Sequence, residues 1–166
     1  MNLEAIDNKK NEFQSVLTQI QLYRDLWQNE KKELIIKTLT SIKKAIDLEW
    51  QIQVLDMAKN SETINIAFNP ARSGISENNG SSMRSFVKEG GALLFCQAYN
   101  GEIFVLIMYP YINEIVSRKE NTFLGKFKPD QITEEFICAK VEKFLDEMIK
   151  WEKSNYGNKV GFVIEQ

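Results

Sequence analysis

An α+β fold is predicted for this chain: a mixed, mostly antiparallel sheet of about five strands, with an N-terminal helical pair on one face and a C-terminal helix on the other. Three observations predict it. Apolar residues recur at helical spacing at both ends, as Ile6, Phe13, Ile20 and Trp27 and again as Ile137, Val141, Phe144, Met148 and Trp151. Between these ends the apolar period falls to two. The two segments flanking Asn100-Gly101 are apolar on both faces, which requires cover on both sides. Helices from the two ends of the chain would supply it, and a second protein chain is the alternative cover. A chain of 166 residues with 43% apolar content suits a single domain, residues 1–166, made of a helical segment at 1–47 and a sheet with the C-terminal helix at 48–166.

The first helix is marked by residues seven apart from Ile6 to Trp27, with Leu3, Leu17 and Leu26 beside them. Lys10 and Arg24 fall where a coiled-coil seam would want apolar groups, so packing on the protein's own core is expected rather than a long zipper. Ile35, Leu39, Ile42 and Ile46 mark a second helix. The polar stretch QNEKK between the two reads as a tight link, giving an αα-hairpin, with one continuous bent helix as the alternative.

Trp50, Ile52 and Val54, then Ile64, Ile66 and Phe68, alternate with polar or small residues and predict two half-buried strands. GALLFCQAY and EIFVLIMY predict a hairpin about Asn100-Gly101, whose type I′ turn needs positive φ at both central residues. YINEIVSRKEN reads as a short helix and TFLGKF as a short strand or extended segment. Asp130 is the expected N-cap of the last helix, with Glu134 and Glu135 suited to the positive end of its dipole. Gly157 suits a stop, and KVGFVIE reads as a final strand.

Residues 69–85, NPARSGISENNGSSMRS, interrupt these patterns as a polar loop holding five serines, two glycines and two of the chain's four arginines. Loops of this length are usually functional or disordered. Arg72 and Arg84 could clamp an anion, with Ser73, Ser81 and Ser82 as further donors, although neither GxxxxGK[ST] nor GxGxxG is present. Tyr109 and Tyr111, in MYPYI, and Phe13 and Trp27 on the first helix are the candidate interface anchors.

Composition removes several chemistries. There is no histidine, so Ser-His-Asp and Cys-His nucleophile systems and His-bearing zinc sites have no base or ligand. A net charge of −2, from 21 basic and 23 acidic residues interspersed along the chain, offers no broad cationic face for duplex nucleic acid and no polybasic tract for a membrane. Cys96 and Cys138 sit in apolar patterns without ligand spacing and read as two buried free thiols of a cytosolic protein. A magnesium site could draw on Glu49, Asp56, Glu62, Glu89 and Glu102, but no metal or cofactor is expected.

The order helix, three strands, helix, strand is similar to that of a nuclease core carrying an acid and a D/E-x-K element on neighbouring strands. The strand that should hold the signature has Gln97 and Tyr99 in their place, and E-x-K matches such as Glu30 to Lys32 fall outside the strands. The expectation is therefore a non-enzymatic protein-interaction or regulatory module, with self-association as one form. The alternative is a protein or enzyme that binds a small anionic ligand or phosphoester through residues 69–85.

Overall fold

The structure, a computed structural model, describes residues 2–58 and 61–154. The α+β class and the antiparallel sheet are as the sequence predicts. The elements are α1 (Leu3–Leu26), α2 (Lys32–Ala45), β1 (Trp50–Ala58), β2 (Ser61–Phe68), β3 (Ala71–Asn78), β4 (Met83–Gln97), β5 (Ile103–Ile112), β6 (Thr122–Phe127) and α3 (Glu134–Lys153). The strand expected at KVGFVIE and the stop at Gly157 lie outside the described residues.

α1 and α2 are not a hairpin. Trp27–Lys31 form a π-helical turn whose flanking residues keep helical dihedrals, so the chain runs as one helix from Leu3 to Ala45. QNEKK contains neither Gly nor Pro to break the backbone, and the surplus residue is absorbed as a π-bulge instead.

The sheet runs β1-β2-β4-β5-β6, every pair antiparallel, with β3 on β4. Thr63 faces Cys96 and Ala71 faces Lys88 at the same offset, so β2 and β3 are one long strand interrupted at Asn69-Pro70, where proline supplies no N–H to the ladder. Together they pair along the length of β4. The predicted loop at 69–85 is thus a β-hairpin arm turning at Asn79–Ser82, where Asn79 N donates to Ser82 O at 3.3 Å. Its Ser, Asn and Gly content disguised alternation that only pairing with β4 exposes.

Three local expectations are corrected. The Asn100-Gly101 turn is a three-residue loop: Ala98 N donates to Glu102 O at 2.8 Å, Gly101 N donates to Ala98 O at 2.9 Å, and Gly101 alone takes a positive φ of 79°. The α3 N-cap is Thr133, whose side chain accepts from Phe136 N, because Asp130 is spent in a 3₁₀ turn at Pro129–Gln131. YINEIVSRKEN is not helical; β5 continues to Ile112 and a turn follows.

The layering also differs from expectation. Ile35 and Leu39 of α2 and Ile137, Val141, Phe144, Met148 and Trp151 of α3 share one core with Ile64, Ile66, Leu93, Phe95, Val105 and Ile107. α2 and α3 touch each other, and both lie on the inner face of the sheet. Strands about 4.8 Å apart make this sheet wide enough for two helices about 10 Å apart side by side, so neither helix reaches the outer face.

Candidate functional site

The π turn has a chemical counterpart. Glu62, at the start of β2, accepts from Trp27 Nε1 at 2.9 Å, from Gln28 Nε2 at 3.2 Å and from Lys32 Nζ at 2.5 Å. Burial alone would raise its carboxyl pKa, but these donors outweigh that and hold it below the usual value. Three residues of helix and one of sheet are locked together here, and the lock sets where α1 leaves the body. Trp27 is 0% exposed, so its indole is an anchor of the fold rather than an interface residue.

A second tie lies one turn earlier. Arg24 donates from Nε and Nη2 to Tyr99 O at 2.9 and 2.7 Å, and its guanidinium lies 4.9 Å from the Tyr99 ring centroid. Gly101 is pressed against the helix so closely that a Cβ would stand 2.5 Å from Tyr23 Cβ and 3.1 Å from Arg24 N. N-terminal to Ile20 these ties end. Residues 2–19 are exposed throughout, and α1 has no buried residue. The expected packing of α1 on the core is therefore not realised. Leu3, Ile6, Phe13 and Leu17 continue the stripe that contains Ile20 and Trp27, but the sheet has ended beneath them. Phe13 is 63% exposed. At about 1.5 Å per residue the uncovered part of the helix is about 27 Å long.

The outer face of the sheet is uncovered too. Asn65, Leu94, Leu106 and Phe123 lie opposite one another across β2, β4, β5 and β6, flanked by the rows Thr63-Cys96-Phe104 and Ala67-Ala92-Met108. No charge interrupts these rows, and the Lys126–Glu102 ion pair at 3.0 Å lies at their edge. An antiparallel sheet with a solvated face normally carries polar side chains there. Leu94, Cys96, Phe104, Leu106 and Met108 are instead half-buried, and Phe123 is exposed, its ring 5.8 Å from that of Phe104. Asn65 is 5% exposed, and its Oδ1 has no hydrogen-bond partner.

The arm does not gather its polar groups around a ligand. Arg72 lies opposite Val87 and Arg84 opposite Glu77, and Val87 and Arg84, three apart on one strand, point to opposite faces. The Arg84 fork is occupied, with Nη2 2.5 Å and Nη1 3.1 Å from the two Glu114 carboxylate oxygens. That pairing holds the Glu114 carboxyl below its usual value. Glu114 is also the only non-glycine among the described residues with positive φ, at 68°. Ser73 Oγ donates to Phe86 O at 2.7 Å and Ser82 Oγ to Asn79 Oδ1 at 3.2 Å, so both serve the arm's own geometry, while Ser81 is exposed at the tip.

Of the tyrosine pair, Tyr109 is 2% exposed, hydrogen-bonded to Thr122 Oγ1 at 2.8 Å and Glu147 Oε2 at 2.9 Å. It belongs to the core. Lys150, Lys143 and the Tyr109 hydroxyl together bring the Glu147 carboxyl down to about 2. Tyr111 is half-buried, donates to Glu89 Oε2 at 2.6 Å and lies beneath Arg118. It borders a hollow of about 410 Å³ lined by Asn113 to Arg118. An apolar groove of about 380 Å³ opens between α3 and the sheet, between Phe68, Pro110, Leu145 and Ile149.

Of the carboxylates considered for magnesium, Glu62, Glu89 and Glu102 are engaged by separate partners, and no group of three His, Cys, Asp or Glu suited to a metal occurs among the described residues. No helix among them is long and apolar enough to cross a membrane. No protein family, curated protein or solved structure matches this chain. Of the residues singled out from sequence, Phe13 alone lies on the large uncovered apolar surfaces. The outer-face row was missed because its residues read as core, and the signal pointing to it was the double apolar stripe itself.

Proposed function

We propose that this protein is a non-enzymatic protein-interaction module whose contact surfaces are the α1 stripe and the outer face of the sheet. The observation that carries this reading is a 24-residue helix with no buried residue and an apolar stripe broken in its exposed part only by Lys10, held at its base by Glu62 and Arg24. Exposed contiguous apolar surface of this extent marks an interaction site in soluble proteins. Rigid anchoring lowers the ordering cost of binding.

A photo-crosslinking amino acid at position 13, introduced in the cells that make the protein, tests this. A discrete covalent adduct is expected, absent when the probe is moved to the polar side of α1 at Asn11. No adduct above that control would sink the reading. The alternative, an anion held at the arm, has less support because Arg84 is engaged by Glu114 and Arg72 faces the other way. A thermal shift by a phosphoester that disappears in Arg72→Ala would revive it.

A further inference from the structure

Resting on that reading, we infer that the partner is a second copy of this chain, and that each copy lays its α1 stripe across the outer sheet face of the other. Four observations on the molecule converge on this occupant. The two uncovered apolar surfaces are of matching character: a helix stripe whose one charge is Lys10, and a sheet face whose central rows carry none. A helix stripe on a sheet is also the packing this chain already uses on its inner face, where α2 and α3 cover Leu93, Phe95, Val105 and Ile107.

Symmetry permits the exchange. The helix is continuous and Trp27 of the stripe is in the core, so the stripe of α1 faces the same way as the sheet-facing side of α2. It overhangs the end of its own sheet at the Tyr99–Gly101 tip. A two-fold axis lying in the plane of the sheet, perpendicular to the helix, inverts the second copy and brings its outer face up beneath that overhang. The same operation places the second α1 beneath the first outer face. The contact is isologous and closes at two chains.

Area separates this arrangement from a zipper of two α1 helices. Four stripe side chains exposing on the order of 100 Å² each would bury about 400 Å² per chain, half the roughly 800 Å² that a stable interface takes from each partner. Reciprocal cover draws on the stripe and the outer face of every chain at once.

The native thiols provide the test. Cys96 lies on the outer face and Cys138 is exposed on α3. In a Cys138→Ser background, cysteines are placed singly at Leu3, Ile6, Phe13 and Leu17, and the purified full chain is oxidised at rising concentration. The expected result is a covalent dimer whose peptide map joins at least one α1 position to Cys96 of the other copy. Dimers joined only through two α1 cysteines would mean a zipper and overturn the inference. Sedimentation equilibrium should show a dimer that Phe123→Asp, at an exposed outer-face position, weakens at least tenfold, and a Phe123→Asp protein that dimerises like the unaltered chain would also overturn it. A monomer at about 100 µM that still gives a discrete adduct with a different protein in cells would end the second-copy inference and leave the module reading standing.

Discussion

α1 and α3 carry the same kind of sequence and meet opposite fates. Both are helices of five or more turns with an apolar stripe, spaced three or four residues apart throughout in α3 and interrupted by Lys10 and Arg24 in α1. The α3 stripe, Ile137 to Trp151, is buried along its length, whereas the α1 stripe from Leu3 to Leu17 is exposed along its length. Periodicity specifies that a helix has a face to bury and says nothing about where the burying surface is. For α3 the surface is the chain's own sheet. For α1 the sheet ends at the hairpin tip, and the helix passes beyond it.

Substitutions in the two stripes should break the comparison most clearly. Phe144→Ala in α3 removes a fully buried ring that packs on Phe68 and Trp50, and should cost about 3–5 kcal/mol in urea unfolding. Phe13→Ala in α1, measured at concentrations where the chain is monomeric, should stay within about 0.5 kcal/mol. Equal losses would mean that α1 is packed on its own chain after all.

Smaller effects sharpen the boundary between anchored and free helix. Gly101→Ala should destabilise by about 1–3 kcal/mol, because the residue must hold a left-handed φ while its Cβ enters the α1 backbone. The loss should be accompanied by faster amide exchange at residues 20–26. Glu62→Gln keeps the shape but weakens the charge-assisted bonds to Lys32 and Trp27, for about 1–2 kcal/mol by the same unfolding measurement.

The smallest effect is a pH dependence on the α3 side. The folded Glu147 carboxyl titrates at about 2 against an ordinary 4.5, so its ion pairs contribute in full above pH 4.5 and are lost as pH falls from there towards 2. Thermal melts between pH 5 and pH 2.5 should lose less stability in Glu147→Gln than in the unaltered protein. Solvent screening keeps the difference modest.

Local pattern carried much of the fold. The β1 and β2 alternations, the doubly apolar β5 and the part of β4 after Gly90, the short β6, the α3 stripe with its acidic first turn, and the hairpin about Gly101 were all legible, because each depends on residues within one or two turns of each other. β3 was not. Its exposed Ser, Gly and Asn residues form a strand only because β4 runs on past Gly91 to offer a partner, and pairing across the Asn79–Ser82 turn is not encoded in hydrophobic period. Trp27 and Tyr109 looked like interface anchors for a related reason: an aromatic on a stripe is equally suited to core or contact, and only Glu62, Thr122 and Glu147 decide which.

By itself the sequence determined that the chain has a helical N-terminal segment, an antiparallel sheet, a C-terminal helix with one apolar face and a central ribbon apolar on both faces, since periodicity is a property of neighbours along the chain. Which surfaces found cover was decided by tertiary structure alone. Two helices fit side by side on one face of a six-stranded sheet, so the other face and the overhanging half of α1 were left without cover from their own chain. The physical reason is geometric: burial depends on the width and end of a surface assembled from distant segments, and no local window of sequence contains that width or that end.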